Sequence, residues 1–130
     1  MFKYFSLLRK KIEAHPERDA LPSFHGTVLV KSGAVISWGI NKTHQSSISI
    51  EYANHSRSAI HSEHDAIRKV KHKKDLKGCV AYNLRIDRNG NVCISKPCKA
   101  CMRAFQDFGI KKCFFSTNEG FQVWSPKKES

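Results

Sequence analysis

The chain has 130 residues, 40% hydrophobic and 26% charged, an ordinary globular mix and enough for one core. No apolar run approaches the roughly 20 residues of a membrane span, which argues against a membrane protein. Lys and Arg number 23 against 11 Asp and Glu, a net charge of +12; this excludes an acidic solvating chain and makes a polyanionic partner or ligand worth testing.

The first segment, MFKYFSLLRKK, carries Phe2, Phe5, Leu8 and Ile12 at helical spacing. It predicts a surface helix ending near His15-Pro16, since a signal peptide wants its charges before its apolar stretch. Residues 17–25 read as loop. Residues 27–30 and 34–38 read as two strands about the tight turn 31–33. A polar loop follows over residues 41–59, then a helix over 60–73 with Ile60, Ile67 and Val70 on one side. Residues 79–86 form a strand of β-formers, and Asp87-Arg88-Asn89-Gly90-Asn91 is a strong turn. Residues 92–94 continue extended. Pro97 opens a short helix that runs to Phe108, with Gly109 just past its end, the usual asymmetry of proline at a helix start and glycine after its finish. Residues 112–116 and 121–124 are strands about the turn 118–120, and the tail from Ser125 is polar and frayed. No repeat or internal boundary breaks this order, so residues 1–130 read as a single domain. The order α-β-β-α-β-α-β-β predicts a three-layer α/β/α fold with helices covering a mixed five-stranded sheet.

Five cysteines, Cys79, Cys93, Cys98, Cys101 and Cys113, make an odd set that does not read as a secreted disulfide framework. They point to a reduced, cytoplasmic protein with a metal or redox centre. Cys98 and Cys101 stand three apart at a predicted helix start, where both sulfurs face one way and the helix dipole favours thiolates. His61 stands near the start of the other helix. Two thiolates and an imidazole suit Zn²⁺, and three protein ligands leave its fourth position open, the pattern of a catalytic rather than a structural site. Water on such a metal ionises near pH 7, and Glu63, two residues past the histidine, could carry the proton. The joint pattern H-x-E…P-C-x-x-C is the signature of zinc-dependent base deaminases.

With VLVKSGAVISWGIN, HSEHDAIRKV, SKPCKAC and GIKKCFFST in that order, the chain resembles the cytidine deaminase superfamily over about residues 24–120. HSEHDAI and GIKKCFFST look most like its deoxycytidylate and tRNA-adenosine branches. The short ending instead resembles the free-nucleoside cytidine deaminases, whose final strand pair is antiparallel. The resemblance implies hydrolytic deamination of cytosine to uracil in a nucleoside or nucleotide. It implies His61, Cys98 and Cys101 as zinc ligands, with zinc-bound hydroxide as nucleophile and Glu63 as proton shuttle. It also implies substrate contacts from Asn41, from the backbone N–H of Ser62, from the backbone at Ser95 and Lys96, and from His25 at the pocket rim. A homo-oligomer is implied as well.

Other readings stand beside this one. His61 and His64 are also three apart, so a closed Cys₂His₂ zinc site is an alternative that leaves Glu63 without a role; a redox C-x-x-C leaves His61-x-Glu63 unexplained. Cys79, Cys93 and Cys113 read as small buried hydrophobes, and Trp38 and Trp124 as core or interface aromatics. Arg68, Lys69, Lys71, Lys73, Lys74 and Lys77 form a basic run. That run suits a solvated helix end and phosphate or nucleic-acid contact equally. The charge therefore keeps a polynucleotide deaminase, acting on cytosine or adenosine in single-stranded DNA or RNA including tRNA, as the alternative function. A non-enzymatic zinc module is the third.

Overall fold

The computed structural model describes residues 2–14, 23–40, 61–87 and 89–126. Helix α1 spans Phe2–Glu13, strands β1 and β2 Ser23–Lys31 and Ala34–Ile40, and helix α2 Ser62–Arg68. A 3₁₀ turn at Lys73–Leu76 leads to β3 (Val80–Asp87) and β4 (Val92–Cys93), then helix α3 (Lys99–Phe108), β5 (Lys112–Thr117) and β6 (Gly120–Trp124).

The strands form one sheet in the order β2-β1-β3-β5-β6, with β4 paired to β3 off this path. Only β3 and β5 run parallel; the other pairs, including the final β5–β6 hairpin, are antiparallel. The expected mixed sheet and antiparallel ending are therefore present, and the sheet has six strands rather than five. The extra one is the two-residue β4, which lies within the segment read as extended over 92–94 and folds back on Arg85 and Ile86.

Alternation along the strands divides two apolar layers. On one face, Tyr4, Phe5, Leu8 and Ile12 of α1 pack on Phe24, Val28, Val30, Tyr82, Leu84 and Ile86. On the other, Ala66 and Ile67 of α2 and Ala104 and Phe105 of α3 pack on Leu29, Ala81 and Cys113. This is the expected three-layer arrangement. Trp38 and Trp124 are half-buried against these layers, Trp124 near the Phe105 ring and Trp38 beneath the Lys11 ammonium. Cys79 and Cys113 are fully buried, whereas Cys93 is only half-buried. Among the described residues no helix is long and apolar enough to cross a membrane.

Several boundaries differ from expectation: β2 runs on to Ile40, and α3 begins at Lys99 with Cys98 as its N-cap, so Pro97 lies just outside the helix instead of opening it. Residues 23–25, read as loop beside Pro22, belong to β1 and pair with Asp87, Ile86 and Arg85 of β3. The helix expected over 60–73 ends at Arg68. Val70, in helical register, is buried by a turn instead, and the Lys73 ammonium donates to the released carbonyls of Arg68 and Val70. Lys-to-carbonyl capping of this kind stops a helix early.

Candidate metal centre and the buried carboxylate

The starts of α2 and α3 face each other over the same side of the sheet. His61 is the N-cap of α2 in extended geometry and Cys98 the N-cap of α3, and neither side chain caps its own helix. Cys101, in the first turn of α3, is fully buried, Cys98 is exposed and His61 half-buried. Their donor atoms lie within 4.8 Å of one another. His61 Nδ1 is 3.4 Å from Cys101 Sγ and 3.6 Å from Cys98 Sγ, and the two sulfurs are 3.5 Å apart.

These separations test the fit to zinc. Bonds of about 2.3 Å to sulfur and about 2.1 Å to nitrogen at tetrahedral angles require about 3.8 Å between sulfurs and about 3.6 Å from nitrogen to sulfur. The three side chains fit that demand to within a few tenths of an ångström, and the group is able to hold a metal ion. The two thiols are shifted in opposite directions: the hydrogen bond between the sulfurs, with help from His61, draws Cys98 down to about 3. The same bond, with burial and the Glu63 charge, holds Cys101 well above the ordinary thiol value.

His64, the fourth member of the closed alternative, does not join the group. Its Nε2 approaches Cys101 Sγ at 3.6 Å and its ring lies parallel to that of His61, with centroids 5.6 Å apart. It is fully buried, and burial, reinforced by His61, pulls its pKa down to about 4, so it sits as a neutral imidazole behind the cluster. The set brought together is the open, three-ligand one.

Glu63 is 3% exposed, and both its oxygens are hydrogen-bonded. Oε1 accepts from Ser62 Oγ at 3.1 Å and Oε2 from Asn83 Nδ2 at 3.0 Å. The Asn83 amide also donates to the Ser95 carbonyl at 3.3 Å, and its oxygen accepts from Thr27 Oγ1 at 2.8 Å. Thr27 Oγ1 meets Ser62 Oγ at 2.8 Å. Ser95 is itself tied to Ser116 and to the Asn83 carbonyl. Among the described residues no buried side-chain polar atom lacks a hydrogen-bond partner.

The other predicted contacts are distributed as follows. Ser62 is buried at the first position of α2 and Ser95 is buried under α3, whereas Lys96 is exposed. His25 is half-buried on β1, opposite Arg85 of β3. Burial is the main cause lowering its pKa; the charges of Arg85 and His61 lower it further, while Glu63 and Cys98 oppose them, which sets His25 within the field of the cluster. Asn41 lies outside the described residues.

Sequence reasoning missed Thr27, Asn83, Arg85 and Asp65. Asn83 had a signal: asparagine is disfavoured inside a strand, and here it interrupts Val80-Ala81-Tyr82 and Leu84. Asp65 is fully buried; it accepts from the Ile40 N–H at 3.1 Å and is paired by Arg68 and Lys69 at 2.8 and 3.0 Å. It ties α2 to the end of β2, and its only mark in the sequence was an acid two residues beyond Glu63.

A family model described as the cytidine and deoxycytidylate deaminase zinc-binding region matches residues 5–117. Among solved structures, dCMP deaminase from the cyanophage S-TIM5 is similar with a TM-score of 0.51 and 17% identity, over 85% of this chain and 80% of that one. Its complex with dCMP and dUMP gives 0.50 and 18%, over 85% and 74%. Cytidine deaminase from Mycobacterium leprae gives 0.52 and 20%, over 92% of each chain. At these identities the likeness is one of fold. No curated protein matches the chain by sequence.

Proposed function

The chain belongs to the cytidine and deoxycytidylate deaminase zinc-binding family, and from that premise we propose that it removes the exocyclic amine of cytosine by hydrolysis in a nucleoside or nucleotide. The observation that carries this reading is the buried Glu63 carboxylate, held by hydrogen bonds at both oxygens beside a His61–Cys98–Cys101 group spaced for a tetrahedral ion. Zinc, when bound there, supplies a Lewis acid that acidifies water.

The chain's own residues do the rest. Glu63 takes a proton from the attacking water and delivers it to the ring nitrogen, then carries the second water proton from the new C–OH to the exocyclic amine; the C–N bond breaks, ammonia leaves and the oxygen remains as the uracil carbonyl. The Ser62 backbone N–H, at a helix start where it needs no helical acceptor, meets the ring carbonyl, and the backbone at Ser95 and Lys96 accepts from the amine. His25 lines the rim, and Asn41 contacts the sugar or base. Arg85, opposite His25 in the strand register, supports a phosphorylated substrate, because a guanidinium matches phosphate oxygens in a bidentate fork. The cyanophage structure in complex with dCMP and dUMP points the same way. A homo-oligomer is part of the same proposal and is read by light scattering.

The test is ammonia release from cytidine, deoxycytidine, their monophosphates, cytosine and short single strands. Turnover of dCMP is expected, with Glu63→Gln retaining zinc and losing activity by about 10²–10⁴-fold. Full activity in Glu63→Gln, or no turnover of any member of the panel, would overturn the reading.

A further inference from the structure

Among the described residues, Glu63 is tied to the sheet by one side chain, Asn83, which also bonds the carbonyl of Ser95, three residues before Cys98. We propose that Asn83 is the positioning residue of the deaminase site, fixing the Glu63 carboxylate relative to the Cys98 and Cys101 ligands, with Thr27 as its anchor. The inference rests on the reading of Glu63 as the proton carrier.

The amide is fully committed. One Nδ2 hydrogen goes to Glu63 Oε2, two residues past His61, and the other to the carbonyl of Ser95, three residues before Cys98. A single –NH₂ group therefore bridges the H-x-E and P-C-x-x-C halves of the site. Its orientation is determined by its partners. Flipping the amide would turn its oxygen toward a carboxylate and a carbonyl, three acceptors with no proton among them, and would lose the Thr27 Oγ1 donation to Oδ1.

The second donor to Glu63 is less constrained. Thr27 and Ser62 have two hydroxyl protons between them for three contacts: Ser62 to Glu63, Thr27 to Asn83, and Thr27 to Ser62. Ser62 is therefore a rotor that can turn toward either neighbour, and it rides on the same helix as Glu63. Asn83 has no such freedom. It lies mid-strand in β3, opposite Thr27 of β1 on one side and Phe115 of β5 on the other, and is 2% exposed. A donor fixed by the sheet sets the carboxylate's place; a rotor on the helix does not.

The experiment measures kcat and KM for deoxycytidine and dCMP, with zinc content and thermal unfolding, for wild type, Glu63→Gln, Asn83→Asp, Asn83→Ala and Thr27→Val. Asn83→Asp keeps the shape and puts acceptors against Glu63. A displaced catalytic group costs on the order of 10²-fold. Asn83→Asp and Asn83→Ala are therefore expected to lose about that much in kcat, while KM shifts less than about threefold and zinc is retained. Thr27→Val, which nearly preserves volume and removes the hydroxyl that anchors Asn83 Oδ1, is expected to lose about tenfold in kcat by the same argument at smaller displacement. Thr27→Val carries the test if the Asn83 variants do not fold. Wild-type kcat in Thr27→Val and in any Asn83 variant that folds, with Glu63→Gln inactive, overturns this inference alone. Activity undiminished in Glu63→Gln overturns the reading of the site and this inference with it.

Discussion

Gly39 is a point of close approach between the sheet and the helix that carries the site, and Gly39→Ala tests that packing. A Cβ at this position would lie 2.0 Å from the Ser62 carbonyl oxygen, 2.4 Å from Ala66 N and 2.9 Å from Ala66 Cβ. Two of these are helix backbone atoms, so no rotamer change relieves the contact, and α2 has to lift until the nearest atoms reach about 3.5 Å. The helix is seated by the Ser37 hydroxyl on the Ala66 carbonyl at 2.7 Å and by the Ile40 N–H on Asp65 at 3.1 Å, both of which lengthen as it rises. Overpacking costs about 1–3 kcal/mol and two weakened hydrogen bonds about 1 kcal/mol each, together about 3–5 kcal/mol. With an unfolding entropy of about 0.27 kcal/mol/K for a chain of this length, Tm should fall by about 10–20 °C. Zinc content should fall too, because the crowded Ser62 stands between His61 and Glu63. Gly26→Ala is the comparator: its Cβ meets only the side-chain ends of Leu8 and Ile12, at 3.0 to 3.3 Å, and should cost less than about 2 kcal/mol. Calorimetry and elemental analysis read both variants. A Gly39→Ala protein that melts like wild type with its zinc intact would refute the close approach.

Three further outcomes follow from the same geometry. Cys98→Ser and His61→Ala should each drop bound zinc from about one to below about 0.1 per chain after dialysis, because two ligands cannot hold the ion; Cys79→Ala, in the core, should leave it unchanged, and equal loss in all three would contradict the assignment. Asp65→Ala should cost about 2–3 kcal/mol in chemical denaturation, since it leaves the Ile40 N–H without its acceptor. Arg68→Ala should cost less than about 1 kcal/mol, because that arginine is solvated and Lys69 still pairs the carboxylate; equal costs would count against the buried tie. Asp87 accepts from the N–H groups of Asn89 and Asn91, bonds that hold its pKa below the ordinary carboxylate value of 3.8. Its contribution to the β3–β4 turn is therefore complete above that value and lost as the pH falls through the lower, folded one. The protection of the Asn89 and Asn91 amides, measured against their intrinsic exchange rates at each pH, should fall on acidification below the ordinary value, a fall absent in Asp87→Asn.

The local signals that could be read in one dimension were legible. Helical spacing found α1, and the 31–33 turn was placed where Ser32 and Gly33 both adopt positive φ, at 51° and 79°. Gly109 marked the left-handed cap of α3. The metal group was legible because its chemistry needs three side chains at two motif spacings. What escaped depends on pairing across the chain. The extension of β1 to Ser23 exists only because β3 runs on to Asp87 beside it, and α2 stops at Arg68 because Lys73 reaches back to its carbonyls. Thr27 was hidden for another reason: threonine is an ordinary strand residue, and nothing in its neighbourhood marks it as the anchor of a buried amide.

The register of β1 against β3 shows how one sheet face serves as both core and site. Successive inward-facing pairs on the α2–α3 side are Leu29 with Ala81, Thr27 with Asn83, and His25 with Arg85. Two residues of travel along each strand change the surface from apolar to hydrogen-bonding, and two more from hydrogen-bonding to cationic. The first pair lies in the dry cluster under α2 and α3. The second is the floor beneath Glu63. A buried polar pair at that position is tolerable only because each atom is answered, since an orphaned buried donor or acceptor costs about 1–3 kcal/mol. The third pair is half-buried and sets a permanent positive charge, that of Arg85, beside His25. Two thiolates and Zn²⁺ would cancel to zero, leaving the Glu63 carboxylate as the anion of the centre. On the function proposed above, Arg85 bears on the substrate more than the net charge of +12 does. The total charge is spread along the chain, whereas this one arginine stands on β3 two residues beyond Asn83, the residue that holds Glu63.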